Sequence, residues 1–144
     1  MTTLRTETEI NAPARLVWQA LTVKQKWHHW NTFLFDCDAQ KHFQPWEEVF
    51  LALRRLPRER KTEFQAQVTL LEPEICLKWV SSIPGFRNQS IFELQEIDFR
   101  RTKYVHLSRF NGLLKPIFFP FIREDEIAGM RRMARELKHY TESL

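Results

Sequence analysis

The sequence predicts an α+β domain in which one strongly curved antiparallel sheet of seven strands wraps around a long C-terminal helix. Two observations predict this fold class. Apolar and polar residues alternate in seven short segments separated by turn residues, whereas the C-terminal segment repeats its apolar residues at helical spacing. Two short helical segments follow the first strand. A chain of 144 residues fits one domain, which we assign to residues 1–144.

The first three elements lie before residue 31. Thr3 to Ile10 alternates with a period of two, which is typical of a half-buried strand. Apolar residues then recur at helical spacing over 13–21, which predicts a short amphipathic helix. Asn11 is a candidate cap for this helix, and Pro13 suits its first turn. Residues 22–30 are predicted to form a second short helix.

Alternation resumes at Phe33 and recurs in six segments up to Phe110. The clearest of them is Phe64 to Leu70, and the turn signals include Pro84-Gly85. Each segment follows the previous one after a short turn, so the simplest topology is an antiparallel meander. The six predicted strands cover approximately residues 33–37, 48–54, 63–70, 75–79, 88–94 and 104–110.

The chain is predicted to close with a helix that begins near Arg123 and runs to about Tyr140. The acids at 124–126 suit a first turn, because the helix dipole favours negative charge there. One apolar stripe is expected to face the sheet, and it consists of Ile127, Met130, Met133, Ala134 and Leu137.

Composition narrows the classes of function. The net charge is +4 and the isoelectric point is about 9.3, an excess that favours anionic ligands or surfaces but is too small to indicate a nucleic-acid binder. The chain has 12 Phe and 5 Trp but only 3 Gly. So many aromatic residues indicate either a bulky core or an aromatic-lined cavity.

Several kinds of site and segment are not expected. The N-terminal residues show no signal peptide, and the apolar stretch Ile117 to Ile122 is too short for a transmembrane segment. Cys37 and Cys76 have no metal-binding or redox spacing, and three strand spacings separate them by about 14 Å, beyond disulfide reach. His28 and His29 are adjacent, which does not fit a metal site. We therefore expect a cytoplasmic protein with free thiols and without a metal or cofactor.

Three motifs resemble the START-like (SRPBCC) superfamily, particularly its polyketide cyclase/dehydrase-like branch. They occur in the family's order, although Thr32 replaces a usual proline and Gln44-Pro45-Trp46 stands where a glycine is typical. The resemblance implies a helix-grip fold with an internal ligand cavity. The motifs are Ile10-Asn11-Ala12-Pro13 with Val17-Trp18 and Leu21-Thr22, then Trp30-Asn31-Thr32-Phe33, then Arg101 to His106 with Arg109 to Leu114.

The predicted meander also places the turns. Every second turn lies at the same end of the sheet, which gathers 58–61, 84–87 and 112–123, and the resemblance implies that this end is the mouth of the pocket. Phe118, Phe119 and Phe121 would form an apolar rim there, or would be buried under the helix. The run Arg54 to Lys61 fits either a binding patch or a solvated hairpin. The basic residues expected around the mouth are Arg58, Arg60, Lys61, Arg87, Lys115 and Arg123.

His106 is the polar residue expected to point inward, together with Tyr104, Ser108 and Phe110 on the same strand face. Asn88 and Ser90 on the neighbouring strand are its expected hydrogen-bond partners, because a buried polar group needs one. His106 is then either a satisfied core residue or an anchor for a ligand. The full candidate ligand-binding set is Phe64, Val68, Trp79, Asn88, Ser90, Phe92, Tyr104, His106, Ser108, Phe110, Phe118, Met130 and Ala134.

Three functions follow as hypotheses. The first is binding of a hydrophobic or amphiphilic small molecule, lipid-like or aromatic and polyketide-like, with anionic molecules among the candidates. The second is a polyketide cyclase or dehydratase in which His106 acts as acid or base and Tyr104 assists. The third is a protein-interaction or chaperone-accessory module, with membrane or protein contact at the mouth. No nucleic-acid partner is expected.

Overall fold

The chain passes from a strand through two short helices into six further strands and a long helix. A computed structural model describes residues 2–144, and Met1 lies outside the described residues. The elements are β1 (Thr2–Ile10), α1 (Ala14–Thr22), a 3₁₀ helix (Lys24–His29), β2 (Leu34–Asp36), β3 (Glu48–Leu53), β4 (Thr62–Glu72), β5 (Cys76–Ile83), β6 (Phe86–Asp98), β7 (Arg101–Asn111) and α2 (Lys115–Glu142).

The seven strands form one antiparallel sheet in the order β1-β7-β6-β5-β4-β3-β2. Strands β2 to β7 are therefore a meander, and β1 returns to pair with β7 at the edge. The sheet curls into a half-barrel around α2, which confirms the predicted fold class. Register shifts between Val68 and Leu70 and between Glu96 and Asp98 mark irregular points in the sheet, of the kind that help strands bend.

Helix α2 begins eight residues earlier than the sequence indicates. The prediction of a start near Arg123 was wrong: the helix begins at Lys115, carries Pro116 in its first turn and continues through Pro120. A proline in the first turn is tolerated because the backbone nitrogen there has no helical acceptor. The apolar residues of these first turns lie on both the exposed and the buried side of the helix, so the sequence shows no single apolar stripe that would identify it as helical.

The C-terminal half of α2 fills the concave face of the sheet. Met130, Met133, Ala134 and Leu137 are buried as predicted, and Ile127 is half-buried. Full burial of a side chain of this size contributes about 1.5–3 kcal/mol. The apolar stripe therefore accounts for much of the attachment of the helix to the sheet.

The second predicted short helix is the 3₁₀ helix Lys24–His29, and it holds a buried cation. The Lys24 ammonium is fully buried and donates to Asp36 Oδ1 and to the carbonyl oxygen of Asp38, each at 2.6 Å. Asp36 Oδ1 also accepts from the backbone nitrogen of Asp38 at 2.9 Å. This pair joins the helical segment to the connection after β2, a link that the sequence pattern does not reveal.

The helices, the possible metal ligands and the two cysteines can be compared with the sequence expectations. No helix within residues 2–144 is both long and apolar enough to cross a bilayer. In that same part of the chain, no three His, Cys, Asp or Glu side chains are grouped to hold a metal ion. The rings of His28 and His29 lie beside each other with centroids 4.1 Å apart. Cys37 is exposed and Cys76 is buried, and both are free thiols.

Substitution of Gly129 by alanine is expected to destabilise the fold. A Cβ atom at Gly129 would lie 2.5 Å from the ring of Phe33, which is itself buried. The overlap should lower the free energy of unfolding by about 1–3 kcal/mol, which outweighs the roughly 1 kcal/mol that alanine adds as a helix former. Chemical denaturation of Gly129→Ala measures this change.

A double variant tests the cause. Phe33→Leu removes the ring edge that the added methyl group of Gly129→Ala would meet, so the two substitutions should be less destabilising together than the sum of their separate effects. Strictly additive losses would show that the contact between Gly129 and Phe33 is not the constraint.

Candidate functional site

A cleft opens between the concave face of the sheet and the N-terminal half of α2. Its volume is about 240 Å³, and its walls come from β3 to β7 and from α2. Most of the wall is apolar. The lining residues are Leu53, Arg55, Thr62, Glu63, Phe64, Gln65, Ser81, Ser82, Ile83, Phe86, Asn88, Phe110 and Glu126.

The cleft lies at the end of the sheet where the sequence predicts the mouth. The turn between β5 and β6 touches the connection from β7 to α2, because the backbone nitrogen of Leu114 donates to the Gly85 carbonyl at 2.8 Å. Gly112 has a φ of +117°, and a Cβ there would overlap the same carbonyl. Glycine is therefore required at this close approach.

A small inner chamber lies directly behind the cleft. Its volume is about 20 Å³, the space of one water molecule or one oxygen-sized group. Leu53, Phe64, Ser81, Asn88 and Glu126 line both spaces. The chamber is closed on its far side by residues from the segment that leads into β2 and from three further strands, namely Phe33, Leu34, Trp79, Ser90, Phe92 and His106.

Strand pairing brings polar groups to this chamber. Asn88 and Ser90 alternate along β6, and Ser90 lies opposite Ser108 of β7. Asn88 Nδ2 donates to Ser108 Oγ at 2.8 Å, and Ser90 Oγ donates to Asn88 Oδ1 at 3.2 Å. These three side chains therefore satisfy one another within the sheet face.

His106 is buried beside this group but is not bonded to it. Its side chain is inward as predicted, lies opposite Phe92 and stacks on that ring with centroids 4.2 Å apart. The expectation that Asn88 and Ser90 would bond to it was wrong, since they bond to Ser108, Arg109 and each other, and His106 Nδ1 has no hydrogen-bond partner among residues 2–144. Burial lowers the pKa of His106 to about 3, so the ring is neutral at pH 7.

Two further polar atoms on the concave face are also buried without a hydrogen-bond partner. Trp79 lines the chamber, and its Nε1 finds no acceptor among the described residues. Its indole packs against Phe43 with centroids 5.5 Å apart. The Tyr104 hydroxyl likewise has no partner within the described chain, and burial raises its pKa, but this side chain does not reach the chamber.

An ion pair spans the cleft. Arg55 Nε donates to Glu126 Oε2 at 2.6 Å, which joins the connection after β3 to α2. Burial raises the pKa of Glu126, and the neighbouring Arg55 opposes that rise. Arg132 stabilises the connection after β3 that carries Arg55, because its guanidinium donates to the Arg55 carbonyl at 3.0 Å.

Solved structures place this arrangement among known folds. A START superfamily protein from Mycobacterium smegmatis superposes with a TM-score of 0.74 at 12% identity, over 98% of this chain and 97% of that one. A protein from Arthrobacter aurescens gives 0.75 at 15%, over 99% and 87%. The di-domain ARO/CYC protein BexL from the BE-7585A biosynthetic pathway gives 0.72 at 14%, over 96% of this chain and 46% of that one. This chain has the START-like helix-grip fold.

The three motifs of the sequence therefore predicted the fold correctly. No family model and no curated protein sequence matches the chain. At these identities the likeness shows the fold of the START-like domain and leaves its ligand open.

The candidate ligand-binding residues divide into three groups in the START-like domain. Phe64, Asn88 and Phe110 line the cleft. Trp79, Ser90, Phe92 and His106 line only the chamber. The others line neither space among the described residues, and most of them are buried in the core. These are Val68, Tyr104, Ser108, Phe118, Met130 and Ala134.

Sequence reasoning missed the ion pair and part of the apolar wall. Glu126 was interpreted as a first-turn acid, whereas it lies in the third turn of α2 and is buried. Arg55 belongs to a basic run that also fitted a solvated hairpin. Ile83 and Phe86 flank the predicted Pro84-Gly85 turn, and their place in the cleft depends on how the hairpin folds over α2.

The six basic residues expected around the mouth do not line the wall of the cleft that the described residues form. Lys61 lies over the ring of Phe35 at 4.0 Å, and Lys115 donates to Thr2 Oγ1 at 3.0 Å. Phe118 and Phe121 belong to α2 and are exposed, whereas Phe119 is buried against Phe110. The apolar segment is thus exposed on one side and buried on the other.

His106 predicts a pH dependence of stability. The unfolded chain binds a proton at this site below about pH 6.5, and the folded chain does so only near pH 3. The stabilisation is complete above pH 6.5 and is lost as the pH falls, by up to about 1.4 kcal/mol per pH unit. Denaturation of the wild type and of His106→Gln between pH 6.5 and 5 should give a flatter dependence for the variant.

Glu126 contributes to the pH dependence of stability with the opposite sign to His106, so a variant of Glu126 is needed as a control. Its raised pKa contributes stability that is lost as the pH rises through the folded-state value. Glu126→Gln should therefore steepen the loss of stability on acidification. Parallel curves for the wild type and His106→Gln would contradict the assignment to His106.

Proposed function

We propose that this START-like domain binds a hydrophobic or amphiphilic small molecule, lipid-like or aromatic, whose apolar body occupies the cleft and whose polar oxygen enters the inner chamber. The observation that carries the proposal is the chamber itself. Its wall combines apolar and polar side chains, and two of its residues, Trp79 and His106, carry buried nitrogens without partners in the described chain.

The chemistry of these two residues indicates the kind of atom that fits. The Trp79 indole can only donate a hydrogen bond, and a neutral His106 ring can donate from one nitrogen and accept at the other. A carbonyl or hydroxyl oxygen satisfies such a pair. Leaving a buried polar group unpaired costs about 1–3 kcal/mol, so a ligand oxygen that pairs with it gains affinity.

The size of the cleft limits the ligand. A volume of about 240 Å³ lies below the roughly 300–1,000 Å³ that is typical of sites for drug-sized molecules. A single acyl chain or a ligand of one or two rings matches this space better than a polycyclic molecule. Phe64, Phe86 and Phe110 supply the aromatic walls.

Arg55 supports anionic ligands at the same site. Its side chain is one-fifth exposed at 21%, whereas its partner Glu126 is almost fully buried. A ligand carboxylate that approaches from the mouth can therefore contact the guanidinium without displacing Glu126. The net charge of +4 favours the approach of such a ligand.

The cyclase or dehydratase alternative receives less support from the geometry. General acid-base catalysis works best when the pKa of the catalytic group is near the working pH, and burial lowers that of His106 to about 3. Tyr104 is too deep to assist at the chamber. A neutral His106 fits the positioning of a ligand oxygen better than proton transfer.

Blocking the cleft should abolish binding without unfolding the domain. Ser81 lines both the cleft and the chamber, so Ser81→Trp should fill the space that the ligand needs. Gln89→Trp is the matched control, because residue 89 alternates with Asn88 and Ser90 and points to the other face of the sheet. Displacement of anilinonaphthalene sulfonate by fatty acids and flavonoids measures binding. Unchanged binding by Ser81→Trp would contradict the proposal.

The chamber should discriminate between oxygenated and plain apolar ligands. Trp79→Phe removes the indole donor. It should therefore lower the affinity for a medium-chain alcohol by roughly 5- to 15-fold and leave the affinity for the alkane of equal length nearly unchanged. Titration calorimetry or probe displacement measures the two affinities.

The matched control is Trp46→Phe, because Trp46 is 67% exposed and lies outside the cleft. This variant should change neither affinity. Equal weakening of the alcohol and the alkane by Trp79→Phe would show that the residue acts through packing alone.

A further inference from the structure

The start of α2 presents large apolar side chains to solvent. Ile117 is 56% exposed and Phe121 is 82% exposed, and Leu113, just before the helix, is 92% exposed. Ile117 and Phe121 are four residues apart and so lie on the same outer side of the helix, and Leu113 lies in the turn that leads into it. We call these three residues the stripe. The stripe has no core function, because the inner side of the same turns is occupied by the buried Phe119.

The hairpin between β5 and β6 extends this surface. Ile83 at the end of β5 is 58% exposed. Phe86 of the same hairpin packs edge-on against Phe118 of α2, with centroids 5.5 Å apart. We call this surface the apolar tip, and it consists of Ile83, Leu113, Ile117, Phe118 and Phe121. A contiguous exposed surface of this kind marks an interaction site, unlike single exposed apolar residues.

The charged residues on the connections at this end of the sheet and on the first turns of α2 are predominantly basic. The acidic ones are Glu59, Glu63, Glu124 and Asp125. They are outnumbered by the basic ones, which are Arg58, Arg60, Lys61, Arg87, Lys115 and Arg123. At the opposite end of the domain, one surface depression combines two basic residues, Arg15 and Arg100, with two acidic ones, Glu74 and Glu96.

We propose that the apolar tip inserts into the surface of a membrane that contains anionic lipid. Apolar and aromatic side chains flanked by basic residues are the combination that binds such an interface. Two copies of the chain docked through this tip would bring their basic residues face to face, which disfavours self-association. Ile83 also lines the cleft, so the docked domain would hold its mouth against the bilayer. The docking does not depend on which molecule the cleft binds.

Vesicle co-sedimentation tests the proposal with the whole chain. We expect binding to vesicles of equal parts phosphatidylcholine and phosphatidylglycerol, weaker binding to phosphatidylcholine alone, and loss of the difference at high salt. Phe121→Ser should lower the partition coefficient roughly tenfold or more. Phe99→Ser is the matched control, because Phe99 is 74% exposed at the turn between β6 and β7.

The outcomes separate the alternatives. Failure of the wild type to bind anionic vesicles, or equal losses from Phe121→Ser and Phe99→Ser, overturns the proposal. A concentration-dependent dimer in ultracentrifugation that Phe121→Ser abolishes, without vesicle binding, would assign the tip to a second copy instead. Thermal unfolding checks that the variants fold, and Ile117→Ser serves as a second tip variant.

Discussion

The close packing of α2 against the segment before β2 is the constraint on which the rest of the structure depends. Gly129 leaves room for the Phe33 ring, and no larger residue would do so. Two polar contacts fix the helix at the same place. Arg132 donates to the Arg54 carbonyl at 2.8 Å, and Glu136 accepts from the Thr32 backbone nitrogen at 3.0 Å. The position of α2 along its axis is therefore set by one apolar and two polar contacts that lie within two turns.

The cleft is a consequence of where this attachment lies. The residues of α2 after Gly129 fill the concave face of the sheet, so the core is closed at that end. Before Gly129 the helix contributes Glu126 to the wall, and the space between it and the strands β3 to β7 is left open as the cleft. The ion pair of Glu126 with Arg55 holds the open end at a fixed width. Burial of a charged pair contributes little net stability. The role of this pair is therefore to position the connection after β3 against α2.

The sequence predicted the architecture well because period-two alternation and the apolar stripe of α2 report directly on which side chains face the core. The meander also predicted which turns lie together at one end of the sheet, where the Gly85 carbonyl accepts from the Leu114 backbone nitrogen. The sequence did not predict the start of α2, because Pro116 and Pro120 conceal a helix whose exposed face is apolar. Nor did it predict the partners of His106. Local alternation places a side chain on a face but does not determine which neighbour it meets.

The polar chamber and the apolar tip lie at opposite ends of the same space. Trp79 and His106, each with a buried unpaired nitrogen, lie on the wall of the deep chamber, whereas the tip is exposed and apolar and has basic residues near it in the chain. Amphiphiles in a bilayer present their oxygenated ends at the surface. A domain docked by its tip would meet that end first, and the ligand would enter the cleft with its oxygen leading and its apolar body behind. This order would place the oxygen in the chamber and the apolar body between Phe64 and Phe110, and any further anionic group would lie beside Arg55 in the cleft.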